Sequence, residues 1–126
     1  ANSQMSKISE KIKISSSNGN YYNKSLKNIE NLKLYNYSKN SSSSFWVYTI
    51  FVHRPRDLIS RLKKKGIQAS QLHFRNDRYS VFKSNGNKKK LKNIDTFSKT
   101  AVCIPCGWWV NKEQIDYVIW VIKKGW

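Results

Sequence analysis

"FWVYTIFVHRPRDLISRLKKKG", residues 45–66, reads as a strand running into a helix. Residues 45–52 are β-branched and aromatic with apolar side chains on both faces, the composition of a central strand. Pro55 and Asp57 suit a first helical turn, Leu58, Ile59 and Leu62 share one face, and the lysine-rich last turn stops at Gly66.

Toward the C-terminus, "IQASQLHF", residues 67–74, is a second and less regular strand that leads into the dense cluster "QLHFRNDRYSVF", residues 71–82. Within that cluster Leu72, Phe74, Val81 and Phe82 have the character of core residues. "KSNGNKKKLKN", residues 83–93, is an exposed basic turn or loop, "IDTFSKT" a short helix, and "AVCI", residues 101–104, a third strand. "NKEQIDYVIWVIKKGW" closes the chain with a helix: Asn111 caps it, Gln114 stands three residues later, and Ile115, Val118, Ile119 and Ile122 form its apolar stripe.

Toward the N-terminus, Met5, Ile8 and Ile12 recur at helical spacing, but "SSSNGN" at 15–20 has poor helix propensity. Helical turns resume at "YYNKSLKNI", and "YSKNSSSS", residues 37–44, is a polar loop. Element order is therefore α, β, α, β, (α), β, α. This is an α/β (α+β) fold with a small three-stranded sheet covered by helices. Residues 1–126 form one domain: an N-terminal helical segment at 1–36, the polar loop at 37–44, and an α/β core at 45–126.

With 24 Lys plus Arg against 7 Asp plus Glu, the net charge is +17, which favours polyanions and makes nucleic acid a partner to consider. The excess is mostly lysine, whereas base readers and phosphate clamps favour arginine. No run of apolar residues is long enough for a membrane span and no signal-peptide core is present, so a cytoplasmic location is expected. Residues 1–4 precede Met5, which opens "MSKISEKI"; either they are added residues or the chain is a piece of a longer one.

"CIPC", residues 103–106, has the spacing of a redox pair or of half a zinc site. Its context argues for structural thiols, because Cys103 sits in a strand and not at a helix N-terminus, and neither His53 nor His73 is placed to complete a metal site. The tandem Trp108 and Trp109 suit a covered core edge or a subunit interface, or a platform for a base or sugar.

Taken in order, "YYNKSLKNIENLKL", "SSSSFWVYTIFV", "LKKKGIQAS", "QLHFRNDRYSVF" and the "PCG … IDYVI" ending resemble the C-terminal small domain of the DegT family of sugar-nucleotide aminotransferases. "SSSNGN" departs from the long helix that the family has at this place. The resemblance implies fold type I enzymes that use pyridoxal phosphate, with the Schiff-base lysine in a large domain outside the matched region. On that basis this chain holds no catalytic residue and no cofactor of its own, and its partners are a large catalytic domain or second subunit in a dimer, and a nucleotide sugar. The family's small domain helps shape the substrate pocket, which carries binding roles over to His73, Arg75, Asn76, Asp77 and Tyr79, with His73 nearest the substrate. The bland reading pairs Asp77 with Arg75 or Arg78 and packs the Tyr79 ring. An orphaned domain reused as a basic assembly subunit or nucleic-acid binder is the alternative function.

Overall fold

Alternation of buried and half-buried residues along Tyr48–Val52 marks a strand whose two faces do different work. The structure, a computed structural model, describes residues 2–38, 40–71, 75–82 and 91–126. Its elements are α1 (Asn2–Ser25), β1 (Leu32–Leu34), β2 (Tyr48–Val52), α2 (Pro55–Lys64), two short 3₁₀ turns (Asn76–Arg78 and Ser80–Phe82), α3 (Lys92–Thr100), β3 (Ala101–Ile104) and α4 (Lys112–Lys123). The sheet has the order β1-β2-β3 and both pairings are antiparallel, with Leu34 opposite Ile50 and Ile50 opposite Val102.

Tyr48, Ile50 and Val52 share the buried core with Leu58 and Leu62 of α2, Tyr22 of α1, Leu26 just after it, and Ile115, Val118 and Ile122 of α4. Burying each such side chain contributes about 1.5–3 kcal/mol. Phe51 points to the opposite face, where its ring meets Phe97 of α3 with centroids 5.6 Å apart. α4 begins with the expected capping box: the Asn111 side chain accepts from the Gln114 N–H at 2.8 Å, and the Gln114 side chain accepts from the Asn111 N–H at 3.0 Å.

Four expectations need correction. The expected strand at 67–74 makes only one antiparallel bridge among its described residues, between Ser70 and Cys103. The third strand is β1, whose "LKL" is too short and too lysine-rich to carry a pattern of its own. Val81 is 76% and Phe82 60% exposed, so neither belongs to the core, while Leu72 and Phe74 lie outside the described residues. β2 starts at Tyr48 and not at residue 45, because Phe45 takes a left-handed φ of 46° that turns its ring out of the strand line and into α1.

The fourth correction concerns α1, which runs without a break through "SSSNGN". Low propensity is overridden there by tertiary contacts. Ser15, Gly19 and Tyr22 fall on one face and are buried, and Leu26, whose N–H donates to the Tyr22 carbonyl, extends that face past the helix end. Asn18 Nδ2 donates to the carbonyls of Cys106, Gly107 and Val110 at 3.3, 3.2 and 3.0 Å, and Tyr22 donates its hydroxyl to the Pro105 carbonyl at 2.9 Å. The small polar residues are thus a seam that grips the 105–110 loop. Earlier in the same helix, Met5, Ile8 and Ile12 keep their helical spacing but stay exposed.

Candidate functional site

The Ser70–Cys103 bridge anchors the segment leaving α2 beside β3, and the chain reappears at Arg75 next to α3. Arg75 is 11% exposed and is held from two sides. Its Nε and Nη2 donate to the two carboxylate oxygens of Asp77 at 2.8 and 2.7 Å, a fork-on-fork pair, and its Nη1 donates to Asp95 of α3. The Arg75 hydrogen bond holds the Asp77 carboxyl below its ordinary range, and the bonds from Asp77 and then Asp95 raise the guanidinium pKa further.

Beside this bridge lies a cleft of about 500 Å³ lined by Arg54, Arg56, Arg75, Arg78, Asp95 and Lys99 among others. Arg54 and Arg56 come from the start of α2, Arg78 from the first 3₁₀ turn, and Lys99 from the last turn of α3. Cations therefore converge from three elements on one concavity, an arrangement suited to an anionic ligand.

The expected site residues divide unevenly. Arg75 lines the cleft, but its guanidinium is engaged by carboxylates. Asp77 is its partner, as the bland reading had it, and Asn76 and Tyr79 are exposed away from the cleft lining. His73 lies outside the described residues. Sequence reasoning passed over Arg54, Arg56, Arg78 and Lys99. The "RPR" opening of α2 was the available signal, since a helix N-terminus with flanking arginines favours an anion.

Elsewhere, the "CIPC" thiols are buried and free. Burial pushes Cys106 up to about 12, and its Sγ donates to the Ser15 carbonyl at 3.7 Å. No group of three or more His, Cys, Asp or Glu among the described residues could hold a metal ion. Trp109 is exposed, its ring lying over Gly107, and Trp108 carries the Lys11 ammonium 4.2 Å from its ring centroid. No helix among the described residues is long and apolar enough to cross a membrane.

Pyridoxal phosphate, the cofactor implied by the resemblance, does not fit these residues. A Schiff-base lysine needs a desolvated pocket, and every described lysine is exposed except the half-buried Lys11, which sits over Trp108.

The small antiparallel sheet with α1, α2 and α4 on one face and α3 on the other is a module of sugar aminotransferases. It superposes on the sugar aminotransferase CalS13 from Micromonospora echinospora with a TM-score of 0.93 at 27% identity, covering 98% of this chain and 33% of that one. For AtS13 from Actinomadura melliaura the TM-score is 0.91 at 25% identity, with coverage of 97% and 32%. Helicobacter pylori PseC, an aminotransferase involved in the biosynthesis of pseudoaminic acid, shares the fold with a TM-score of 0.86 at 20% identity, covering 97% and 34%. No curated protein matches the chain. The model of the DegT/DnrJ/EryC1/StrS aminotransferase family matches residues 1–123, and the chain belongs to that family. It spans about a third of the length of the solved structures it resembles.

Proposed function

We propose that this chain is the small domain of a sugar-nucleotide aminotransferase and that its cationic cleft forms part of the wall of the sugar-nucleotide pocket. The observation that carries the reading is the family match over residues 1–123 together with the near-complete superposition on a sugar aminotransferase. When bound in the rest of the enzyme, pyridoxal phosphate supplies the electron sink for amino-group transfer. This chain contributes surface and charge: Arg56, Arg78 and Lys99 offer donors to an anionic substrate, and the carboxylates of Asp77 and Asp95 hold the Arg75 segment in place. The comparisons lend no support to a nucleic-acid binder or an assembly subunit.

Native mass spectrometry of the protein purified gently from its source tests the reading. A cofactor-bearing polypeptide in covalent or non-covalent union with this domain, about twice its mass given the 33% coverage, is the expected result. Co-purification with nucleic acid or a large assembly lacking cofactor would overturn it.

A further inference from the structure

The chain has only 7 acidic residues, yet two of them converge on the single guanidinium of Arg75. All three guanidinium nitrogens donate to a carboxylate, which leaves Arg75 poorly placed to hold a ligand and well placed to hold the structure. The consequence lies one turn away on each side. Arg78 donates its backbone N–H to the Arg75 carbonyl at 3.1 Å, closing the 3₁₀ turn that follows Arg75, and both arginines line the cleft. Lys99 follows Asp95 by four residues on α3, which puts them on one helix face. Joining Arg75 to Asp95 therefore brings Arg78 and Lys99 to the same cleft, which Arg56 also lines.

These three cations differ from their neighbours. Arg54 answers Asp57 at 3.4 Å, whereas no ion pair engages Arg56, Arg78 or Lys99 among the described residues, and Arg78 feels Asp77 only through its longer-range charge. The cleft, of about 500 Å³, is thus lined by three cations without an ion pair of their own, two of them on segments that the Arg75 bridge joins.

We infer that Asp77–Arg75–Asp95 is a positioning bridge that sets Arg78 and Lys99 against Arg56 to receive a phosphate-type dianion. The inference deepens the sugar-nucleotide reading above by naming the chemistry this wall recognises and the residues that organise it. Arg75, Asp77 and Asp95 act through the other three and need not touch the ligand.

Sodium pyrophosphate titrated calorimetrically into the full chain at low ionic strength provides the test. Arg78→Ala should weaken binding by about tenfold, the loss of one charge-assisted contact. The decisive variant is Asp95→Asn. Removing a carboxylate beside a cationic cleft tightens anion binding by Coulomb attraction alone, whereas a positioning role makes it weaker by a similar tenfold. Asp57→Asn removes the same charge from the cleft without touching the bridge, and should leave binding unchanged or tighter. Arg75→Lys, which keeps the charge but loses the fork, should weaken binding as Asp95→Asn does and keeps the test open should Asp95→Asn not fold. Binding by Asp95→Asn and Arg75→Lys as tight as wild type, or no pyrophosphate binding by wild type, would overturn the inference. Uridine diphosphate binding tighter than pyrophosphate assigns the seat to a nucleotide, and equal binding assigns it to free phosphates; either supports the dianion seat. Because the titration requires neither cofactor nor companion domain, its failure and the failure of the aminotransferase reading are separable.

Discussion

The ring of Phe45 lies directly against Gly19, in the place that a β-carbon on Gly19 would occupy. Gly19 is in the middle of a 24-residue helix, where alanine would ordinarily stabilise by up to about 1 kcal/mol. Here the added methyl must displace an aromatic ring that is 4% exposed, and overpacking of that kind costs about 1–3 kcal/mol. Gly19→Ala should therefore destabilise the protein in urea unfolding, while Asn20→Ala, at the exposed next position, should stabilise it by a few tenths of a kcal/mol. A stabilised Gly19→Ala would mean that Phe45 does not dock on α1.

Asn18 shares its amide nitrogen among the carbonyls of Cys106, Gly107 and Val110. Asn18→Ala leaves those acceptors short of a donor, at a cost of about 1–3 kcal/mol. Asn18→Asp should be worse, because a carboxylate would face three carbonyl oxygens with no hydrogen to offer. Chemical denaturation of the two variants checks the order; an aspartate variant as stable as wild type would show that the seam is not polar in the way described.

α2 and α4 were legible in the sequence because stripe, caps and stop agree at each: Pro55 and Gly66 bound one, Asn111 and Gln114 open the other. α1 was hidden because its inner face is made of Ser15, Asn18 and Gly19, residues whose value is in contacts with Phe45 and the 106–110 segment, far along the chain, and not in local propensity. β1 was hidden for a related reason, since three residues of "LKL" become a strand only through their register with Ile50 and Val52. At the site, "RNDR" was recognisable as dense chemistry, but its division of labour was not. Which arginine carries the ion pairs depends on Asp95, twenty residues beyond Arg75.

Cys106 donates to Ser15 across the α1 seam, and burial pushes its thiol up to about 12, while burial also raises Cys103, partly offset by its hydrogen bond with Thr49. Both thiols should resist alkylation by iodoacetamide at pH 8 in the folded protein and react once urea unfolds it. Rapid native labelling, or formation of a Cys103–Cys106 disulfide under mild oxidant with retained structure, would restore the redox reading of "CIPC".

Asp116 ties α1 to α4: it accepts the Tyr21 hydroxyl at 2.7 Å and the Lys112 ammonium at 3.1 Å, and these bonds, the tyrosine's first, hold its carboxyl below the ordinary 3.8. The Arg75 bond does the same for Asp77. A carboxyl whose folded pKa is depressed stabilises the fold above its unfolded value of 3.8, and that contribution disappears as pH falls through the lower folded value. Both carboxylates are partly exposed, so solvent screens the contribution and its pH window is more telling than its size. The unfolding free-energy difference between wild type and Asp77→Asn/Asp116→Asn should be constant above about pH 5 and shrink toward zero in strong acid. Tyr21→Phe, which removes the first of the causes at Asp116, should narrow the acid-sensitive part of that difference. A difference that stays the same down to about pH 2 would mean that neither carboxylate titrates with folding, and both ion pairs would then be bystanders on the surface.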